Sequence, residues 1–284
     1  NKFSWTTDIA YTLNRNKVLN IDQPYTQNLY WYAGFQTVTR TTSGNPIGSF
    51  YGYQTDGIFT DAEDIRNSPT QVDDQSIEGN QNLIHQRDGV WIGDQKFKDL
   101  NGDGVIDVND QTSIGNPNPK FTGGINNTFS YAGLTLNVYF TGSYGGKILN
   151  FQRVRNEGMS SLNNNQAATV VNRARVEFIN PDDPDADMTN PDDIRLANPG
   201  TDIPRFSPTD NNTNDRMSDR WIEDGSYLRL QNVSLSYQLP KGMLNKVKVS
   251  SMRVYVNAQN LYTFTNYTGL DPEIGAFNQN ALLQ

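Results

Sequence analysis

Residues 134–140 read LTLNVYF, in which Leu134, Leu136, Val138 and Phe140 alternate with Thr135, Asn137 and Tyr139. A period of two puts successive side chains on opposite sides of the backbone, so this stretch is a β-strand with one apolar and one polar face. Phe121, Ile125, Phe129 and Tyr131 interleave with small polar residues just upstream, across the short YAG, which predicts a hairpin. Near the start, Phe3, Trp5, Thr7, Ile9, Tyr11 and Leu13 share a face opposite Ser4, Thr6, Asp8, Ala10 and Thr12. There NRNK is expected to turn the chain and VLNI to begin the return strand. Val233, Leu235, Tyr237 and Leu239, followed after PKGMLNK by Met252, Val254, Val256 and Ala258, repeat the pattern. Three hairpins with short turns are expected.

The connections between these hairpins are long. Residues 19–120 and 145–220 are rich in Asn, Asp, Gly, Pro and Ser, with NPDDPDADMTNPDD as the extreme, and compact domains rarely use such connections. Short turns on one side and long loops on the other are the signature of an antiparallel transmembrane β-barrel, with turns at the periplasmic rim and loops outside the cell. Composition fits. Only 35% of residues are hydrophobic and the mean hydropathy is -0.67, which is lean for a soluble core of this length. The 11% aromatic content argues against disorder. A wall between lipid and a polar lumen needs apolar residues on one face only. Trp5, Tyr131, Tyr139, Trp221, Tyr227 and Tyr262, near strand ends, fit interfacial girdles, and in a sandwich they would fit a core equally well. The competing reading is a soluble or surface β-sandwich stapled by calcium, a binding or adhesion module, which would need short turns on both sides and a closed apolar core.

Several functions are excluded. A net charge of -8 disfavours a nucleic-acid partner. The absence of cysteine removes disulfides, thiol catalysis and Cys-based zinc sites. No run approaches the ~18 apolar residues of a membrane helix, and no signal-peptide pattern opens the chain. His85 is the only histidine, and no serine sits in a G-x-S-x-G elbow. Glu223 and Asp224 are adjacent, so on a strand they point to opposite faces and are poorly placed to flank one glycosidic bond. No enzyme is expected. The aspartates at 182, 183, 185, 187, 192 and 193 read as a solvated run. Phe50, Tyr51, Tyr53, Trp91 and Phe97 are expected to pack the loops together rather than stack on sugars.

One loop carries metal-ligand spacing. In DLNGDGVIDVND, residues 99–110, Asp99, Asn101, Asp103, Asp107 and Asp110 fall at positions 1, 3, 5, 9 and 12, Gly104 at 6 and the Val105 carbonyl at 7. This is the oxygen pattern of an EF-hand loop, with the glycine permitting the sharp turn. The flanks are turn formers and β-favouring residues, so an ion-stapled connection is expected rather than a sensor, with calcium, or magnesium, in a structural role. The competing reading is a metal-free loop rich in Asx turns.

Three runs bring the chain close to a known family: GNPIGSFYGYQTDGIFTDAEDI, KDLNGDGVIDVNDQTSIGNPNPKFTGGINNTFSYAGLTLNVYFTGSYGGKI, and the closing RWIEDGSYLRLQNVSLSYQLP with VYVNAQNLYTFTNYTGLDPEIG. In this order they resemble SusC/RagA-type TonB-dependent outer-membrane transporters of Bacteroidetes. The resemblance implies an all-β fold, a segment of a 22-stranded transmembrane barrel with long extracellular loops in the bacterial outer membrane. Residues 1–284 would be its C-terminal part, with the plug domain, the TonB box and a final strand elsewhere. It further implies import of oligosaccharides or peptides, a SusD-like lipoprotein as cap, and energy delivered through TonB.

Overall fold

The computed structural model describes residues 2–31, 34–159, 165–245 and 248–273. They form two compact units: the first comprises Asn1–Asn16, Pro117–Ile148 and Glu223–Gln284, and the second Lys17–Asn116 and Leu149–Ile222.

The first unit is one five-stranded antiparallel sheet. Its strands, in spatial as in chain order, are β1 (Ser4–Thr12), β2 (Phe121–Tyr131), β3 (Leu134–Tyr144), β4 (Tyr227–Gln238) and β5 (Arg253–Thr265). The expected β2–β3 hairpin is present, with Tyr131 opposite Leu134 and both turn residues at positive φ, Ala132 at 50° and Gly133 at 88°. Two positive φ values match the right-handed twist of the flanking strands. The 239–252 connection between β4 and β5 holds a short helix, Lys241–Leu244. Residues 278–284, after which a further strand is expected, lie outside the described residues.

The first predicted hairpin is corrected. β1 pairs directly with β2, from Ser4 opposite Ser130 to Thr12 opposite Thr122, across more than a hundred residues of chain. NRNK therefore opens a long excursion instead of closing a turn, and VLNI is not a strand. Val18 instead exchanges backbone hydrogen bonds with the 44–45 turn, donating to the Asn45 carbonyl and accepting from Gly44. Four residues of VLNI offer a short ladder, whereas β2 matches β1 along its whole length. With that change every long excursion still leaves from one rim of the sheet. Thr12, Phe121, Tyr144 and Tyr227 end strands there, and the 132–133 and 239–252 turns lie at the opposite rim.

The second unit gathers the long excursions, and they are more regular than their composition suggests. Tyr25–Trp31, Gly34–Thr41, Ser49–Gly52 and Thr112–Gly115 form a four-stranded sheet, and Thr55–Ile58 pairs with Gln95–Phe97. Ile58, Phe59, Ile65, Trp91, Ile92 and Ile194 bury one another in a core. Beside it sits a polar network closed to solvent. Arg205 Nε lies 2.7 Å from Asp94 Oδ1 while its Nη2 donates to Oδ2 at 3.1 Å. Asn214 Nδ2 and the Trp91 backbone N–H donate to the same carboxylate at 3.0 and 2.8 Å. Asp94 is 0% exposed, so these donors offset its desolvation, and deleting one partner would strand a buried charge.

Candidate functional site

The site begins with the two faces of the first unit's sheet. Residues opposite one another in an antiparallel ladder share a face. The register sets Ile9 opposite Ile125, Ile125 opposite Phe140, Phe140 opposite Leu230 and Leu230 opposite Tyr262. Four residues along, Trp5, Phe129, Leu136, Leu235 and Val256 align in the same way, and the row between holds Val138, Val233 and Ala258 with Thr7 and Asn127, whose amide oxygen accepts from Trp5 and Thr7. The result is a largely apolar face that runs across all five strands, interrupted at Thr7 and Asn127, and left uncovered within the unit. Trp5 is 63% exposed, Ile9 72%, Val256 65% and Phe264 55%.

Strand β4 breaks alternation, since Leu228 and Leu230 are even-numbered while Val233, Leu235 and Tyr237 are odd. A bulge at Gln231 absorbs the extra residue, with Leu230 opposite Phe140 and Asn232 opposite Tyr139, so both sets reach the same face. Aromatic rings mark both ends of this face. Trp5 stacks on Phe129 at 5.8 Å toward the short-turn rim, and Phe121 stacks on Tyr144 at 5.4 Å toward the long-loop rim. Of the aromatics assigned to girdles from sequence, Trp5, Tyr131 and Tyr262 take this face, whereas Tyr139 and Tyr227 fall on the opposite one by register. Trp221 is 0% exposed within the loop unit, donating its indole N–H to the Arg216 carbonyl. Position near a strand end does not say which face a ring takes.

The opposite face is polar. Asn137 Nδ2 donates to Asn126 at 2.8 Å and to Thr128 at 3.0 Å. Gly124 leaves room for the Tyr139 ring, since a Cβ there would lie 2.6 Å from the Tyr139 hydroxyl oxygen. Near the long-loop rim, Arg229 is 6% exposed and reaches Asp271 Oδ1 at 2.6 Å, Glu273 Oε2 at 2.8 Å and Thr263 Oγ1 at 2.9 Å. Tyr227 donates to Glu273 at 2.8 Å and Thr268 to Glu223 at 2.8 Å. The segment after β5 is thereby folded back onto this face. Sequence reasoning missed this anchor, whose only local sign is an arginine at a polar-face position of a strand.

The 99–110 loop takes a shape built from its own oxygens. Asp99 accepts backbone N–H bonds from Gly102 at 2.6 Å and Gly104 at 2.8 Å, Asp103 from Val105 at 2.9 Å and Asp107 from Asn109 at 2.7 Å. Asp110 is buried, accepting from Leu100 and from Asp107, both at 2.8 Å. Gly102 and Gly104 take positive φ of 78° and 84°, which glycine adopts freely. Those backbone donors, Gly104 foremost, hold the Asp99 carboxyl below the usual carboxylate range. Four carboxylates, one amide and the Val105 carbonyl make an all-oxygen donor set, the chemistry of a hard cation. Among the described residues, no three His, Asp or Glu side chains gather as a metal-holding group.

The remaining sequence candidates have structural partners. Phe50, Tyr53, Trp91 and Phe97 are buried, and Tyr51 accepts from Arg40 at 2.7 Å, so these rings pack the loop unit. His85 is exposed beside Asp88 at 3.2 Å. Asp224 accepts from Ser226 at a turn. Within the acidic run, Asp183 and Asp187 cap local turns and Asp192 pairs with Arg66 at 2.8 Å on the surface.

No family model matches the chain. Among curated proteins of Formosa agariphila, it is 32% identical over 281 residues to TonB-dependent receptor P3, covering 98% of this chain and 24% of that protein. It is 27% identical over 281 residues to TonB-dependent receptor P26, covering 99% of this chain and again 24% of the relative. Along almost its whole length the chain is similar to part of these TonB-dependent receptors. It spans about a quarter of the length of the curated relatives it matches. These relatives are receptors rather than enzymes, in keeping with the absence of any catalytic motif in the sequence. In three dimensions it resembles a solved RagAB peptide transporter with a TM-score of 0.64 at 23% identity, over 96% of this chain and 24% of that one. The closed-closed state of the RagAB peptide importer gives 0.62 at 22% identity, over 96% and 25%. At these identities the likeness speaks for the fold. TonB-dependent receptors are outer-membrane proteins, and no helix among the described residues of this chain is long and apolar enough to cross a membrane.

Proposed function

We propose that this SusC/RagA-type sequence forms part of the wall and outer loops of an active importer in the bacterial outer membrane. The observation that carries the reading is the sorting of the five-stranded sheet, with a largely apolar face edged by aromatic rings and a hydrogen-bonded polar face behind it. In this reading the apolar face meets lipid, the polar face lines the lumen, and the rim bearing the long excursions faces outward. The edges β1 and β5 continue into further strands of a 22-stranded barrel. Residues 1–284 are the C-terminal part, with plug, TonB box and final strand contributed elsewhere in the parent protein. The cargo is an oligosaccharide or a peptide, a SusD-like lipoprotein caps the barrel, and TonB supplies the energy. The sandwich alternative lacks support, since within the unit that carries the apolar face no second sheet covers it among the described residues.

The 99–110 loop binds calcium, or magnesium, in a structural role on this proposal. The ligands are Asp99, Asn101, Asp103, the Val105 carbonyl, Asp107 and Asp110, and the support is their oxygen spacing with the two positive-φ glycines. The ion would shape an outer loop and take no part in transport.

The test is native purification from the source membrane in mild detergent, with mass spectrometry of every co-eluting polypeptide. The expected result is a parent about four times the length of this chain, given its 24% coverage of a relative, together with a SusD-like lipoprotein. A free soluble protein of 31.9 kDa without a membrane partner would sink the reading.

A further inference from the structure

The apolar face is not uniformly filled. Next to the long-loop rim, Gly123 of β2 lies opposite Gly142 of β3, and these are flanked in the same row by Tyr11 of β1 and Leu228 of β4. Glycine inside a strand weakens it and often marks close approach of a ligand or another backbone. Here a Cβ on Gly123 would lie 2.8 Å from the Ala10 carbonyl oxygen, and one on Gly142 equally close to that of Tyr227. The two missing side chains form the floor of a groove of about 760 Å³, within the ~300–1,000 Å³ range of small-molecule sites. Its walls include Tyr11, Phe121, Ile125, Phe140, Tyr144 and Phe264, all on the apolar face. Arg229, which stands between Thr141 and Thr263 on the polar face, does not line it.

Cationic side chains stand where the groove meets the rim. Lys120 Nζ lies 5.7 Å from the centre of the Tyr144 ring, and the Lys120 stem crosses Gly145, where a Cβ would lie 2.8 Å from it. Lys147 is exposed two residues further on. Asp224 stands near both lysines, and its Oδ1 already accepts from Ser226. The neighbouring Glu223 is taken up by Thr268, accepting from its backbone N–H and its hydroxyl at 2.8 Å.

We infer that this groove is a binding site for a phosphate-bearing anionic lipid of the surrounding bilayer. One acyl chain lies over Gly123 and Gly142 between the aromatic walls, and the phosphate is held by Lys120 and Lys147. The inference rests on the barrel-wall reading, and charge complementarity commits it to an anionic lipid over a zwitterionic one. An aromatic–cation rim is where a headgroup meets protein.

The experiment uses the full-length protein containing this stretch, carrying Phe264→Trp as a reporter in the groove wall, in vesicles of brominated phosphatidylcholine or brominated phosphatidylglycerol. Bromine quenches the added tryptophan, read as the difference from the parent protein. The expected result is quenching by both lipids, with phosphatidylglycerol preferred in mixtures by roughly five- to tenfold, and loss of that preference in Lys120→Gln/Lys147→Gln. Because both lysines belong to the rim and not to the sheet interior, the double variant is expected to fold. Equal quenching by the two lipids, with no effect of the lysine variant, overturns the specific site and leaves the wall reading standing. Absence of quenching by either lipid overturns both. Native mass spectrometry of lipids retained by wild type and the lysine variant supplies a second readout that does not depend on the reporter, with equal retention counting against the site.

Discussion

In the five-stranded sheet Ile9 is 72% exposed, while in the loop unit Ile65 and Ile92 are 0% exposed. The sheet turns its aliphatic and aromatic side chains outward and joins its polar ones to one another, as Asn137 does with Asn126 and Thr128. The loop unit does the reverse, closing Phe59, Trp91 and Trp221 away from water around a few paired charges. A lean hydrophobic content therefore divides into two uses. One follows the hydrophobic effect in water, and the other suits a surface whose solvent is lipid.

The contrast can be broken most sharply at Trp221. Replacing it by Ala removes the largest fully buried side chain and should destabilise the loop unit by ~3–5 kcal/mol. Limited proteolysis is expected to cut within 17–116 or 149–222 while the sheet strands stay protected; equal loss of protection in both units would show them to be one cooperative body. Next in size, Val138→Arg in the middle of the apolar face should cost ~2–4 kcal/mol in a bilayer. Ser234→Arg, on the polar face of the neighbouring strand, should stay within about 0.5 kcal/mol. Urea unfolding of the full-length protein in vesicles compares them, and equal costs would deny that the faces meet different solvents.

Calcium gives a smaller effect. At ten times a mM-class dissociation constant it should stabilise the loop unit by about 1.4 kcal/mol, seen as a rise in thermal midpoint absent in Asp103→Ala. A midpoint indifferent to calcium would leave a loop held by its backbone donors alone.

The last contrast is in pH, where two aspartates of the loop unit should act with opposite sign. Burial, with the Asp215 and Asp94 carboxylates nearby, pushes Asp210 up to about 7. Between its unfolded value near ~3.9 and about 7 the folded state holds a proton that the unfolded state has released. That contribution to stability is complete below the window and is lost as pH rises through it. Asp99, held low by backbone N–H donors, contributes stability above its unfolded value that is lost as pH falls through its folded value. Asp210→Asn should flatten the slope between pH 4 and 7, and Asp99→Asn the slope below pH 4. A variant that leaves its own slope unchanged would remove that group from the balance.

Much of the sheet was legible locally. The face sharing of Trp5, Ile9 and Tyr11, of Leu134 to Phe140 and of Val254 to Ala258 follows from a period of two, a property of consecutive residues. The first hairpin was misread for the same reason. NRNK has the composition of a turn, yet whether a chain returns there depends on a competing partner more than a hundred residues away. For the candidate metal loop, the spacing of its oxygens was legible, while the engagement of each carboxylate by a backbone N–H required the folded loop.

By itself the sequence determined which side chains the regularly alternating strands show to either side, where the β2–β3 turn falls, and that no catalytic motif is present, because each depends on residue types at short separations. Only the tertiary structure decided that β1 lies beside β2, that a bulge at Gln231 brings Leu230 and Val233 to one face, that Trp221 is core and not girdle, and that Arg229 holds the segment after β5. These rest on strand register and on burial, which are set by contacts between residues far apart in the chain and so leave no local period to read.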